Sequence, residues 1–343
     1  SAPFMRRHKM GIRILKGGMM TTVQDLGRTG YQSQGFSVSG VMDVRSFKIA
    51  NLLLDNPENE AVLEFTLMGP TLEFTSETII SITGGDFRPK INGKPAKMYT
   101  AIYMHRGDIL TFGGARTGTR GYIAFSSYLD VPVVMGSRST NIKCQIGGYK
   151  GRKLEDEDYI AFRAKRRYLP YYLSRSLDLD EFDQEKITLR VVMGPQEKMF
   201  TKEGRETFLN SEYTVTSEFD RMGCRLEGPF IAYKTTSDII SDGIAFGSVQ
   251  VPSHGKPIIL LADRQTTGGY AKIATVVSVD IPKLVQRKTE QKVRFQAVSV
   301  EEAQKLLADE MKELNDFRSQ IYTPCKEVLD CRLVAKRISA LFE

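Results

Sequence analysis

His254-Gly-Lys-Pro-Ile-Ile-Leu-Leu-Ala-Asp-Arg-Gln-Thr-Thr-Gly-Gly-Tyr270 joins the most apolar run of the chain to a string of polar residues and glycines. The apolar part, 257–262, has the length of one strand and falls far short of the roughly 18–20 residues a membrane span needs. Together with Gly228-Pro229 and Asp238-Ile-Ile-Ser241, it echoes the first half, where Gly69-Pro70, Thr78-Ile-Ile-Ser81 and Asn92-Gly-Lys-Pro95 follow at similar gaps. Further β-prone runs lie at 78–83, 108–112, 121–126, 187–193, 274–280 and 292–298, broken by Gly, Pro, Asp and Asn. Regular short strands with turn signals predict two related β-barrels rather than a doubly wound sheet.

Few helices are encoded. Asp43 caps one that carries Val44, Phe47, Ala50 and Leu54 on one face and ends before Asn56-Pro57. Asp280-Ile-Pro-Lys-Leu opens a short second one, with proline in its first turn. From Val300, the residues Ala303, Leu306, Leu307, Leu314 and Phe317 form an apolar stripe, and 329–342 continues or pairs with that helix. The expected organisation is a cloning scar at 1–10, a barrel domain at 11–170, a second at 185–298 and a helical tail at 299–343. The charged stretch 162–184 is the join.

The 343 residues carry a net charge of +7, four cysteines, three histidines and no tryptophan. Arg6, Arg7 and Lys9 supply three of those charges, and the short cluster Arg163-Ala-Lys-Arg-Arg167 reads as a solvated face with no nucleic-acid motif beside it. Cys144, Cys224, Cys325 and Cys331 form no C-x-x-C, which points to free thiols and a cytoplasmic setting. With only His8, His105 and His254, a histidine-rich metal site is all but excluded; no metal ligand is nominated, and a carboxylate-only Mg²⁺ contact stays open. There is no P-loop, and Gly35-Phe-Ser-Val-Ser-Gly40 misses the G-x-S-x-G elbow. Gly113–Gly121 is Gly-rich but reads as a turn between strands. Arg106-Gly-Asp108 is a turn leading into one.

What remains are polar clusters in turn-rich segments. Thr21-Thr-Val-Gln-Asp-Leu-Gly-Arg28 places Gln24, Asp25 and Arg28 together; Ser39-Gly-Val-Met-Asp43 adds a hydroxyl and a carboxylate. Gly136-Ser-Arg-Ser-Thr140 supplies Ser137 and Arg138, and Asp263–Tyr270 supplies Arg264, Gln265, Thr266, Thr267 and Tyr270. Such sets suit a small polar ligand with carboxylate and amide groups, because arginine grips a carboxylate as a fork while Gln, Thr and Tyr complete the hydrogen bonds. A structural alternative stands beside this reading: Asp25–Arg28 and Asp263–Arg264 as ion pairs that brace tight turns.

These segments also carry a family pattern. In order come Gln24-Asp-Leu-Gly-Arg28, Ser39-Gly-Val-Met-Asp43, Asn56-Pro57, Ile82-Thr-Gly-Gly-Asp86, Gly136-Ser-Arg-Ser-Thr140, Gly194-Pro-Gln196, Arg221-Met-Gly223, Gln250-Val-Pro252 and Leu261–Tyr270. From about Gly11 to Val298 the chain resembles the family of the 5-oxoprolinase C subunit, also called KipI antagonist, allophanate hydrolase subunit 2 or biotin-dependent carboxyltransferase family proteins. The resemblance implies two tandem cyclophilin-like β-barrel domains and work in a complex with a KipI-like B subunit plus an A subunit. The implied reaction is ATP-dependent hydrolysis of 5-oxoproline to L-glutamate, with ATP and Mg²⁺ belonging to the whole complex and this chain inactive alone. Two alternatives accompany it: a carboxyltransferase-type protein acting on urea or another amide with carboxybiotin, and a regulatory binder that antagonises a KipI-like kinase inhibitor.

For lactam opening, residue chemistry and motif placement nominate Asp25, Asp43 and Arg264 as catalytic. Gln24, Arg28, Ser39, Ser137, Arg138, Gln265, Thr266, Thr267 and Tyr270 are nominated for substrate binding.

Overall fold

The computed structural model describes residues 10–165, 168–179 and 182–324. Cys325, Cys331, Arg166, Arg167, the predicted 329–342 helix and almost all of the 1–10 scar lie outside them.

The first half builds two antiparallel sheets. One runs, in spatial order, Tyr159–Ala161, Gly11–Lys16, Thr71–Phe74, Ile109–Thr111, Lys90–Ile91 and Lys94–Pro95. The other runs Met20–Gln24, Val62–Thr66, Arg120–Phe125, Thr78–Gly84 and Ala101–Met104. Alternation assigns the second sheet two buried faces. Leu63, Phe65, Ile80, Ile82, Ile123 and Phe125 fill the core shared with the first sheet. Their neighbours Val62, Ile79, Tyr122 and Ala124 pack on Phe47, Ala50 and Leu54 at the helix Val44–Leu53. That is why Thr78–Gly84 is buried along its whole length.

The second half is a closed seven-stranded barrel: Lys186–Met193, Lys272–Val276, Ser248–Gln250, Ile258–Leu260, Gly223–Glu227, Glu212–Phe219 and Lys292–Ala297. The seam is the parallel pair Lys186–Met193 with Lys292–Ala297, running from Lys186 opposite Lys292 to Val191 opposite Ala297. Closure removes the exposed edges that an open sheet presents. Outside the barrel a two-stranded ribbon pairs Asp238–Gly243 with Thr267–Tyr270.

The expected fold class holds: mostly β, with a closed barrel, few helices and a long C-terminal helix. The sequence repeat that suggested two related units does not map onto equivalent structure. Thr78-Ile-Ile-Ser81 is central and buried, whereas Asp238-Ile-Ile-Ser241 belongs to the exposed ribbon and has no barrel partner. A pattern of Gly, Pro, Ile and Ser specifies turns and strands, not which of them are enclosed. Lys202–Asn210, capped by Thr201, is a helix the sequence reading passed over.

Three helix expectations fare differently. Asp43 caps Val44–Leu53 through Ser46 N–H, as its position dictates. Pro282 stands in the first turn of Ile281–Val285. Val300–Ile321 begins with a reciprocal capping box between Ser299 and Glu302. Its inward face, however, uses Ala303, Leu306, Glu310, Leu314, Phe317 and Ile321, while Leu307 faces solvent. Arg45 on the first helix reaches Glu313 across this contact at 2.9 Å.

Gln286, fully buried, joins the two halves. Its Oε1 accepts from the N–H groups of Thr119 and Arg120, and its Nε2 donates to Asp43 Oδ2 and Arg120 O, all at 2.9–3.0 Å. Met42 adds an apolar tie, since it packs in the barrel's hydrophobic cluster although it belongs to the first half. Gln286→Ala takes the Oε1 acceptor from two buried backbone donors, while Asp43 Oδ2 keeps Ser46 Oγ and Arg120 O keeps Gly85 N–H. At about 1–3 kcal/mol for a buried group left unpaired, a loss of at least ~2 kcal/mol is expected in urea unfolding. A midpoint unchanged from wild type would remove Gln286 from this role.

Candidate functional site

The predicted residues sort into two neighbouring groups. The first is centred on Asp25, just past the strand Met20–Gln24. Its Oδ1 accepts from Ser137 Oγ and Ser139 Oγ at 2.6 Å and from Gly27 N–H at 2.8 Å; Oδ2 accepts from Arg138 N–H at 2.6 Å. Asp25 is thus the anchor of the 136–140 loop. Gln24 donates to Thr22 Oγ1 and Thr140 O, while its buried Oε1 has no partner among the described residues. Ser39, at a left-handed φ of 58°, accepts from Asn141 Nδ2 and donates its N–H to Ala262 O.

Arg28 is 1% exposed. Its Nη2 donates to Ser139 O, and its Nε and Nη1 have no partner among the described residues. Burial lowers its pKa, against an opposing pull from the Asp25 and Asp263 carboxylates. Gly147 leaves room for this guanidinium: a Cβ there would sit 2.6 Å from Arg28 Nη2. Asp25→Ala withdraws the acceptor of four donors, two of them backbone. Limited trypsin digestion is expected to cut the variant within 136–151, at Arg138 or Lys143, at least about fivefold faster, as befits a loop that loses charge-assisted bonds. Equal cleavage rates would show that the loop is held elsewhere.

Asp43 is committed to structure. Its oxygens accept from Ser46 N–H, Ser46 Oγ and Gln286 Nε2, and its own N–H donates to Tyr122 Oη. Full burial raises its pKa despite those donors.

The second group lines a cleft of about 550 Å³ on the barrel. Arg264, Gln265 and Tyr270 stand there with Phe219, Arg225 and Gln250. Thr266 and Thr267 lead into the ribbon, Thr266 accepting Ile244 N–H through its carbonyl. Arg264 is 8% exposed and donates through Nε to Ile244 O and through Nη1 to Leu261 O. It stacks over Phe246 at 5.6 Å. Burial lowers its pKa. Arg264 thus stands as a buried cation beside an open cleft, with no ion pair among the described residues.

The ion-pair reading of Asp263–Arg264 is corrected by this geometry. Asp263 pairs with Arg221, whose Nε and Nη2 lie 2.9 and 3.2 Å from its two oxygens. Asp25 and Arg28 likewise make no direct ion pair; serines and amides take the carboxylate instead. Arg221 also reaches Glu64 Oε1 and Gly40 O. Glu64 Oε2 accepts from Met42 N–H at 2.8 Å and Tyr122 Oη at 2.9 Å. Burial lowers the Arg221 pKa, but Asp263 and Glu64 outweigh it and leave the group raised; burial drives the Tyr122 phenol well above its usual range. The chain Asp263–Arg221–Glu64–Tyr122 was missed from the sequence. Its members stand up to 199 residues apart, and only the fold brings them together.

The segment between Ser37 and Met42 connects the two groups: Ser37 Oγ donates to Arg264 O at 2.7 Å, on the chain's path from Arg28 to Asp43.

Residues 34–297 match the carboxyltransferase domain, subdomains A and B. The chain belongs to the carboxyltransferase-domain family. It is 34% identical over 308 residues to the C subunit of 5-oxoprolinase from Escherichia coli (strain K12), covering 88% of this chain and 96% of that one. It is 30% identical over 335 residues to urea amidolyase of Lachancea kluyveri, covering 90% of this chain and 18% of that one. The crystal structure of the K. lactis urea amidolyase superposes with a TM-score of 0.85 at 28% identity, over 92% of this chain and 20% of the other. This carboxyltransferase-domain chain therefore spans nearly all of the bacterial protein and about a fifth of the urea amidolyases.

Proposed function

We propose that the chain is the C subunit of a cytoplasmic, ATP-dependent 5-oxoprolinase that opens 5-oxoproline to L-glutamate with two companions, an A subunit plus a KipI-like B subunit. The single observation that carries this reading is Arg264, a buried guanidinium without an ion pair among the described residues, set in an open cleft beside Gln265 and Tyr270. 5-Oxoproline brings a carboxylate, which Arg264 grips, and a lactam, which an amide and a phenol orient. Urea has no carboxylate, so a guanidinium without an ion pair among the described residues favours the acidic lactam over the neutral amide.

Lactam resonance makes plain hydrolysis slow, and ATP, with Mg²⁺ in the complex, supplies phosphorylation of the amide oxygen. Among the described residues no three His, Cys, Asp or Glu side chains gather to hold a metal ion, so no step here is assigned to one on this chain. What this chain contributes is position. Arg264 fixes the substrate carboxylate, and Gln265 and Tyr270 set the ring's orientation, with Thr266 and Thr267 shaping the approach. Arg28, Asp25, Ser137, Arg138 and Gln24 form the wall behind the 37–42 segment, which carries Ser39, and Asp43 fixes that segment to the first helix. Asp25 and Asp43 act as positioning residues in this arrangement.

A second reading draws on the likeness to urea amidolyases: carboxyl transfer from a carboxybiotin, with Arg264 holding the carboxylate in transit. Assembled complex supplied with labelled 5-oxoproline or labelled urea separates the two. Glutamate release without any biotinylated protein in the complex supports the oxoprolinase. A copurifying biotinylated carrier and urea turnover would replace it by the transferase.

A further inference from the structure

The ribbon Asp238–Gly243/Thr267–Tyr270 is an unusual wall for a binding cleft. Its outer strand is almost entirely in solvent, and Ile240 is 94% exposed. Two strands alone are marginally stable in water, so something must seat the ribbon on the barrel. The main polar attachment of its outer strand is Asp242. Its Oδ2 lies 2.9 Å from Lys272 Nζ, on the barrel strand Lys272–Val276, and accepts from Gln196 Nε2 at 3.2 Å. Gln196 closes the triangle, its Oε1 accepting Lys272 N–H at 3.2 Å.

The pair is asymmetric. Lys272 is 4% exposed and makes no other ion pair among the described residues, whereas half of Asp242 faces water. The hydrogen bond from Lys272 is the chief reason the Asp242 carboxyl stays below its usual range. Removing the carboxylate leaves a buried ammonium uncompensated, a state that favours moving the ribbon or hydrating the site. Packing makes the seat tight as well: a Cβ on Gly268 would fall 2.7 Å from Gln250 Nε2 and 2.7 Å from Ile244 Cδ1. Gln250 also donates to Tyr270 O at 3.4 Å. The inner strand of this ribbon presents Gly268, Gly269 and Tyr270 to the Arg264 cleft.

We propose that Lys272, Asp242 and Gln196 form a latch that holds the ribbon as the movable wall of the Arg264 cleft, making them positioning residues for its ligand. None of the three lines the cleft. The latch acts on affinity through the ribbon: with Asp242 in place Tyr270 is held opposite Arg264, and without it the wall loosens. This inference rests on the reading of the cleft as the 5-oxoproline site.

Asp242→Asn and Asp242→Glu, each in the assembled complex, test it by two readouts. Hydrogen exchange of the 267–270 amides, which needs no substrate, is expected to quicken at least about tenfold in Asp242→Asn. In the same variant the KM for 5-oxoproline is expected to rise about tenfold with kcat within twofold. Asp242→Glu, which keeps the charge, restores both in large part. Unchanged exchange overturns the latch, and faster exchange with unchanged KM overturns its role in binding. A wild-type complex that releases no glutamate refutes the substrate, while the exchange result still decides the latch.

Discussion

Arg264→Ala, assembled with its companion proteins, will turn over 5-oxoproline at least about tenfold more slowly than wild type, with unfolding little changed. The loss corresponds to about 1.4 kcal/mol or more of transition-state stabilisation, a modest demand for one charge-assisted contact. Among the described residues the guanidinium pairs with no carboxylate and donates only to Ile244 O and Leu261 O, so its removal costs the fold two hydrogen bonds and relieves a buried charge. Arg264→Lys separates charge from geometry. A lysine keeps the charge but not the fork, and partial recovery is expected. Turnover equal to wild type in Arg264→Ala would remove the residue from the site.

Arg221→Met is expected to act on stability instead. It leaves Glu64 and Asp263 without their shared cation, and Glu64 is almost fully buried. Breaking a buried pair from one side costs about 3–5 kcal/mol, to be read as a fall in the urea midpoint. Glu64 belongs to the strand Val62–Thr66 and Asp263 follows the barrel strand Ile258–Leu260. The same substitution therefore loosens the contact between the halves. A broadened or two-step transition is the expected sign of that loosening. A midpoint within ~0.5 kcal/mol of wild type would mean that the network is replaceable.

The contrast between these arginines explains how much the sequence disclosed. Local signals were readable: Asp43 before an apolar period of 3.6, Pro282 in a first turn, and the apolar stripe that starts a helix at Val300. Each depends on residues within a turn of one another, and the structure follows them. Strand positions were readable for the same reason, because Ile80 and Ile82 alternate with Ser81 and Ile79 whatever the topology. Long-range facts were not. Nothing near Arg264 in sequence says that Asp263 turns away to Arg221, and nothing in Asp238-Ile-Ile-Ser241 says that it will be exposed while Thr78-Ile-Ile-Ser81 is enclosed. Burial is decided by what the rest of the chain lays over a strand.

The candidate site divides along the same line. The motif 263–270 pointed to a polar recognition segment, and its members Arg264, Gln265 and Tyr270 do share one cleft. The 24–28 and 136–140 motifs pointed to another, and they meet around Asp25, 112 residues from Ser137. That the first faces an open cleft and the second an internal wall emerged only from the fold.

The most direct test of the proposed activity is to combine this chain with its A and B companions and follow ADP and glutamate with and without 5-oxoproline. ADP and glutamate are expected in equal amounts, both lost when this chain is omitted and both reduced when it carries Arg264→Ala. A stable complex that forms no glutamate, or one whose turnover is the same without this chain, would contradict it.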